Sequence, residues 1–290
     1  MQRSSQRTSA APSVLQVGAN SHGTSIAHAH DPVPFLISHG WSAMLIEPQP
    51  QAAAALRDRY SGQQSVNVRQ EAVCESAAAR WTTLWLINVS KTFGANHSDA
   101  RCLGDLSAIS GTASLSRRQV TQFQRFYRFT PSQCAKCAQQ LGRPLPPSCM
   151  SRVYLDNLEN ISVPCAQLST ITAAPVEALV VDAEGQDADI VRRYLDLAGS
   201  TPRAIVYEHA HLRRSTRASL AERLTAAGMV RATDLATQLL RGRHAALRGT
   251  PTTAQWNGPW AALRHALKRV DSKDNSVWLL NSTGSRDLIS

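Results

Sequence analysis

Four strand-length apolar runs each end in a polar or glycine-bearing cluster, and this recurrence constrains the fold more than any other feature. Val14-Leu15-Gln16-Val17 runs into Gly18-Ala19-Asn20-Ser21-His22-Gly23, and Ala43-Met44-Leu45-Ile46 into Glu47-Pro48. Further on, Ala178-Leu179-Val180-Val181 leads to Asp182-Ala183-Glu184-Gly185, and Ala204-Ile205-Val206-Tyr207 to Glu208-His209. Runs this continuous suit strands buried on both faces of a parallel sheet. Helical segments stand between them. One spans Pro32 to His39, with Asp31 as N-cap and Gly40 closing it; others span Pro50 to Tyr60, Ala188 to Leu197, and Thr216 to Ala227 before Gly228. The alternation predicts an α/β fold: an open, mostly parallel Rossmann-like sheet with helices on both faces. In such sheets ligands bind beyond the C-terminal ends of the strands, near the switch in strand order. All four clusters therefore share one structural address.

The rest of the chain is less regular. Val66 to Val73 alternates as a third strand, Leu84 to Val89 reads as a fourth that pairs at an edge, and Val277 to Leu280 as a last edge strand. Residues 100–160 read as an inserted cap and residues 235–270 as a second, basic insertion, within one domain over residues 14–285. No apolar run approaches the ~18 residues of a membrane span. The basic, serine-rich, acid-free start MQRSSQRTSAAPS has the composition of a transit peptide, but the first strand follows at Val14, so residues 1–13 read as a flexible tail or the scar of a longer protein. A soluble, cytoplasmic protein is the expectation, with an organelle as the alternative.

The formal net charge is +10, and six basic residues with no acid lie between Arg117 and Arg143. A positive field favours an anionic partner, whether an acidic small molecule, nucleic acid or a membrane surface; arginines clustered in water account for it as well. The run Arg117, Arg118, Phe123, Arg125, Phe126, Tyr127, Arg128, Phe129 suits stacking on bases or sugars, or an amphipathic helix with aromatics inward. Six cysteines, at 74, 102, 134, 137, 149 and 165, are not expected to form a disulfide framework in a chain this long, and Cys74 reads as core. Cys134, Cys137, Cys149 and Cys165 supply a half-formed zinc pattern, while His22, His28 and His30 lack a carboxylate at helical spacing. No metal site is assigned.

The clusters carry the chemistry. Gly18 and Gly23 let the backbone turn sharply and approach a ligand closely. Glu47, at the end of the second strand, suits two hydrogen bonds from vicinal ribose hydroxyls, which any adenosine-containing cofactor provides. The loop is not G-x-G-x-x-G, which disfavours a nicotinamide dinucleotide and an oxidoreductase. Asp182, Glu184 and His209 are the candidate proton acceptors. Each has a plainer reading: Glu184 as the cap of the following helix, His209 as a loop residue, Asn20 as a turn residue.

Val14 to Gly23, Gly40-Trp41 through Glu47-Pro48, Glu71-Ala72-Val73-Cys74, Val181 to Gly185, and Ile205 to His209 together resemble, in order, the motifs of the FkbM family of methyltransferases. The resemblance implies a methyltransferase fold that binds S-adenosylmethionine and methylates a hydroxyl on a small molecule or glycan. It implies that Gly18, Ala19, Asn20 and Gly23 surround the methionine part, with Glu47 and Pro48 at the ribose. Ala72 and Val73 would lie beside the adenine, and Asp182 and Glu184 would face the methyl group and the acceptor. Gln16 and Ser21-His22 depart from the family, where acids are common. A nucleic-acid-binding or RNA-modifying protein using the basic insertion, and a catalytically silent protein that keeps the fold, are the competing readings.

Overall fold

Continuous burial of the central strands on both faces sets the architecture. In a computed structural model the described residues are 11–21, 31–75, 79–88, 113–122, 130–142, 144, 157–171, 175–197, 199, 201–232, 262, 263, 265, 267, 270 and 275–280. Among them are strands β1 (Ser13–Val17), β2 (Ser42–Ile46), β3 (Val66–Arg69), β4 (Ala72–Val73), β5 (Trp81–Ile87), β6 (Leu158–Ala166), β7 (Ala178–Val181), β8 (Ala204–Glu208), β9 (Met229–Arg231) and β10 (Asn275–Leu280). The helices are α1 (Val33–Ser38), α2 (Pro50–Arg59), α3 (Arg117–Gln122), α4 (Pro131–Leu141), α5 (Leu168–Ile171), α6 (Asp187–Leu197) and α7 (Arg214–Ala226).

Seven strands form one sheet in the order β3-β2-β1-β7-β8-β10-β9. It is parallel from β3 through β8, while β10 runs antiparallel to both β8 and β9. The expected mostly parallel α/β sheet is present and compatible with a Rossmann-like fold. Successive residues feed opposite faces. Leu15, Val17, Leu179, Val181, Ile205 and Tyr207 pack with Ile190, Val191 and Tyr194 of α6 and Leu220 and Leu224 of α7. Val14, Ala43, Leu45, Ala178, Val180 and Val206 join Val33, Leu36 and Ile37 of α1 and Leu56 of α2 on the other face. Each fully buried Leu or Ile contributes about 1.5–3 kcal/mol from lost apolar hydration, so covering both faces is the main source of stability.

Three strand expectations need correction. The run Val66 to Val73 is divided: β3 pairs with β2, then the chain leaves the sheet and β4 pairs with β6. Leu84 and its neighbours do not edge the main sheet; β5 pairs antiparallel with β6 in a separate three-stranded sheet, β4-β6-β5. Val277 to Leu280 lies inside the main sheet, between β8 and β9, and β9 is the edge. Strand partners depend on distant segments, which local periodicity does not carry. Most of the second insertion lies outside the described residues, as do Gly23, His22, His28, His30, Cys149 and the run Phe123 to Phe129.

The expectation that the cysteines stay unpaired is overturned, although Cys74 does pack against a small core cluster. Cys74, at the end of β4, is bonded to Cys165 of β6, across a sequence separation of 91. Cys134 and Cys137 of α4 are also disulfide-bonded. A zinc site that needs Cys134, Cys137 and Cys165 as free thiolates is therefore ruled out. Pairing was invisible because it follows from the proximity of β4 and β6, not from cysteine spacing. Among the described residues no helix is long and apolar enough to cross a membrane.

Closing a loop of this length restricts the unfolded chain, so replacing Cys74 and Cys165 together by Ser is expected to lower stability by about 2–5 kcal/mol. Denaturant unfolding of the double variant checks the size. Alkylation without reduction should leave both cysteines of the wild-type chain unlabelled.

Candidate functional site

The site lies where the order reverses, at the C-terminal ends of the adjacent strands β1 and β7. Gly18 follows β1 with φ +79°, and a Cβ there would stand 1.7 Å from the carbonyl oxygen of Asp182. Glycine is thus required twice, by conformation and by contact. The Gly18 and Ala19 N–H groups donate to the Ile46 carbonyl (2.9 and 3.1 Å), which ties the loop to β2. Asn20 also has positive φ, at 50°, and its side-chain oxygen accepts from the Ser21 N–H at 2.7 Å. That local bond is what lets Asn tolerate a left-handed turn.

Glu47 joins two loops. Its Oε2 accepts from the Asn20 N–H at 2.7 Å and its Oε1 from the Gln49 N–H at 2.8 Å. Burial pushes its carboxyl from an ordinary 4.5 up to about 7, against the two backbone donors, which favour the charged form. Each oxygen retains acceptor capacity beyond these bonds. Gln16 is buried beneath and donates to Asp31 Oδ2 at 2.8 Å. The other Asp31 oxygen accepts from the Val33 N–H at 2.9 Å, so its side chain steadies the start of α1, whose N-cap position is Pro32 rather than the expected Asp31.

The loop after β7 is held by its neighbours. Asp187 accepts from the Ala183 and Gly185 N–H groups at 3.2 and 3.0 Å. Asp187, the first residue of α6, thus fastens the loop that precedes the helix. Glu184 sits at φ 49°, a conformation that costs a non-glycine residue about 1–3 kcal/mol. The hydroxyl of buried Ser114, from the first insertion, donates to the Glu184 carbonyl at 2.9 Å and helps hold it there.

The structure brings Asp182 and Glu184 together with Glu208 and His211. His211 Nε2 lies 3.6 Å from Glu184 Oε2 and 3.3 Å from Glu208 Oε1. One ligand-capable atom from each of Glu184, Glu208 and His211 falls within 4.8 Å of the others. Asp182 is the exposed member, with protein packed around its carboxyl. That crowding raises its pKa well above the carboxylate range, and the charges of Glu208, Asp187, Asp31 and Glu47 add to the shift. Loss of water raises Glu184 likewise, with Asp182, Glu208 and Asp187 contributing. His209 is placed differently: it is buried, with Nδ1 3.1 Å from the Ser276 hydroxyl of β10.

Glu208 and His211 were not singled out together from sequence. The turn after β8, closed by the Leu212 N–H on the His209 carbonyl (3.1 Å), folds His211 back toward Glu208. The spacing Glu208-x-x-His211 was the available signal, but only the turn makes the two residues meet. The remaining cofactor candidates divide: Ala72 and Val73 are buried in β4, beside the Cys74–Cys165 bond, and Pro48 follows Glu47 at the end of β2. The chain matches no family model, no curated protein and no solved structure.

Two outcomes are expected. Gly18→Ala should lose about 2–4 kcal/mol from positive φ and overpacking together, measured by chemical denaturation. The acids set a pH dependence. Between 4.5 and about 7 the unfolded chain ionises Glu47 while the folded chain keeps its proton; Asp187 behaves the same way between 3.8 and about 7. Stability contributed by these protons is present at low pH and is lost as pH rises through the folded values. The melting temperature should be higher at about pH 5 than at about pH 8, with a smaller drop in Glu47→Gln; a rise across that window would contradict the assignment.

Proposed function

We propose that this chain is an S-adenosylmethionine-dependent O-methyltransferase acting on a hydroxyl of a small molecule or glycan. The observation that carries the reading is Glu47. A buried carboxylate stands at the end of β2, held by backbone N–H groups on both oxygens, beside a glycine loop at the switch between β1 and β7. Its unused acceptor sites suit two ribose hydroxyls. The strand order departs from the dinucleotide-binding one, in which the sixth strand follows the fifth directly; here antiparallel β10 comes between β8 and β9.

Gly18, Ala19 and Asn20 would line the methionine part, Glu47 and Pro48 the ribose, and Ala72 and Val73 the adenine. The cofactor would supply an electrophilic methyl group on a sulfonium. The protein's part is to orient the acceptor oxygen and receive its proton. Asp182 is the candidate acceptor of that proton, because it is exposed beside the Gly18 loop and neighbouring carboxylates raise its proton affinity. The disulfides favour an oxidising compartment over the cytoplasmic expectation.

Calorimetric titration with S-adenosylmethionine and S-adenosylhomocysteine tests the reading. Micromolar binding is expected, weakened in Glu47→Ala by ~1–3 kcal/mol, the cost of unpaired hydroxyls. No binding by the folded wild-type chain would remove the assignment.

A further inference from the structure

We infer that Glu184, Glu208 and His211 form a binding site for one divalent first-row transition-metal ion, a property separate from S-adenosylmethionine binding. The site joins two loops at the ligand-binding edge of the sheet: Glu184 after β7, with Glu208 and His211 at the end of β8.

Three observations converge. The first is spacing. His211 Nε2 stands 3.6 Å from Glu184 Oε2 and 3.3 Å from Glu208 Oε1. Donors roughly 2.0–2.2 Å from a cation, at tetrahedral or octahedral angles, are about 3–3.5 Å apart; the two imidazole–carboxylate separations are close to that, and all three donor atoms lie within 4.8 Å of one another. The second is orphaned oxygen. Glu184 Oε2 and Glu208 Oε2 are shielded from solvent and accept no hydrogen bond. A buried carboxylate oxygen without a donor is costly, and metal coordination is one of the few ways to satisfy it. The third is pre-organisation. Glu184 is held at positive φ, its carbonyl fixed by the Ser114 hydroxyl.

The charge arrangement agrees. Asp182 and Asp187 add negative charge around Glu184, and among the described residues no Lys or Arg pairs with Glu184 or Glu208. His211 alone supplies at most one positive charge to this crowd. Two carboxylates and an imidazole match the range from Mn²⁺ to Zn²⁺ better than the all-oxygen sites that Ca²⁺ and Mg²⁺ favour. Three protein donors leave further coordination positions open to an exogenous ligand. An acceptor bearing adjacent hydroxyl or carboxylate oxygens is the class of ligand such positions take.

The test titrates Mn²⁺, and separately Zn²⁺, into the full chain after removal of metals with EDTA. Binding is read by calorimetry and, for Mn²⁺, by electron paramagnetic resonance. One saturable ion per chain is expected, with binding weakened at least about tenfold in Glu208→Gln and in His211→Ala, the loss of a ligand. Folding is controlled by melting without metal: Glu208→Gln should melt no lower than wild type, because it removes one like charge. Mn²⁺ should raise the wild-type melting temperature, and raise that of Glu208→Gln by less at the same concentration. No saturable binding by the folded wild-type chain, or equal binding by both variants, overturns the inference. S-adenosylmethionine is titrated separately in EDTA. Cofactor binding without metal binding sinks the metal site alone; metal binding without cofactor binding sinks the proposed methyltransferase and leaves the metal site standing.

Discussion

The contact between the Gly18 backbone and the Asp182 carbonyl governs the rest of the site. Strands β1 and β7 are neighbours along their whole register, from Val14 opposite Ala178 to Val17 opposite Val181. The loops that leave them must diverge to make a crevice, yet their first residues remain in contact. Only a residue without Cβ fits, because that atom would lie 1.7 Å from the Asp182 oxygen. Positive φ at Gly18 then turns the chain toward β2, where Ile46 receives two N–H groups and Glu47 a third, from Asn20. One missing methyl group thus decides how the glycine loop, the β2 carboxylate and the acidic loop after β7 converge.

The convergence is electrostatically expensive. Glu184, Asp187 and Glu47 are all pushed toward the protonated form, in each case mainly by loss of water. Backbone donors relieve Glu47 and Asp187. Glu184 and Glu208 each keep a buried oxygen with no hydrogen bond. The two apolar layers around the sheet offset this cost, since burial on both faces supplies a large favourable term that does not depend on the loops. Such a division, a rigid apolar scaffold carrying strained polar loops, is where perturbed acids tend to serve binding or catalysis.

The small sheet adds a second anchor. β4 leaves the direction of β3 and is fastened to β6 by pairing at Ala72 and Val73 and by the Cys74–Cys165 bond. Val73 packs into the same core as Leu15 and Leu179, so the covalent tie holds the wall beside the switch point. Ser114 reaches the opposite side, bridging to Trp85 through backbone pairing and to Glu184 through its hydroxyl. The first insertion is therefore not a detached cap over its described part: it supports the strained acid.

Much of the scaffold was legible in the order of residues. Uninterrupted runs such as Ala178 to Val181 signal strands covered on both faces, because only such strands exclude polar residues from both sides of the pleat. Gly18, Glu47 and Asp182 were legible as neighbours, since every strand of a parallel sheet delivers its C-terminal residue to one edge. Other features required the folded chain. Alternation does not reveal that Val66 to Val73 changes partners midway, that β10 inserts between β8 and β9, or which cysteines meet, because each depends on segments far apart in sequence. The same holds for the acids. Sequence placed Glu184 and Glu208 after strand ends at one edge; tertiary structure decided that they meet each other and His211 there. Side-chain direction there follows from a left-handed backbone at Glu184 and a tight turn after Glu208, conformations set by packing around them rather than by the residues' own preferences.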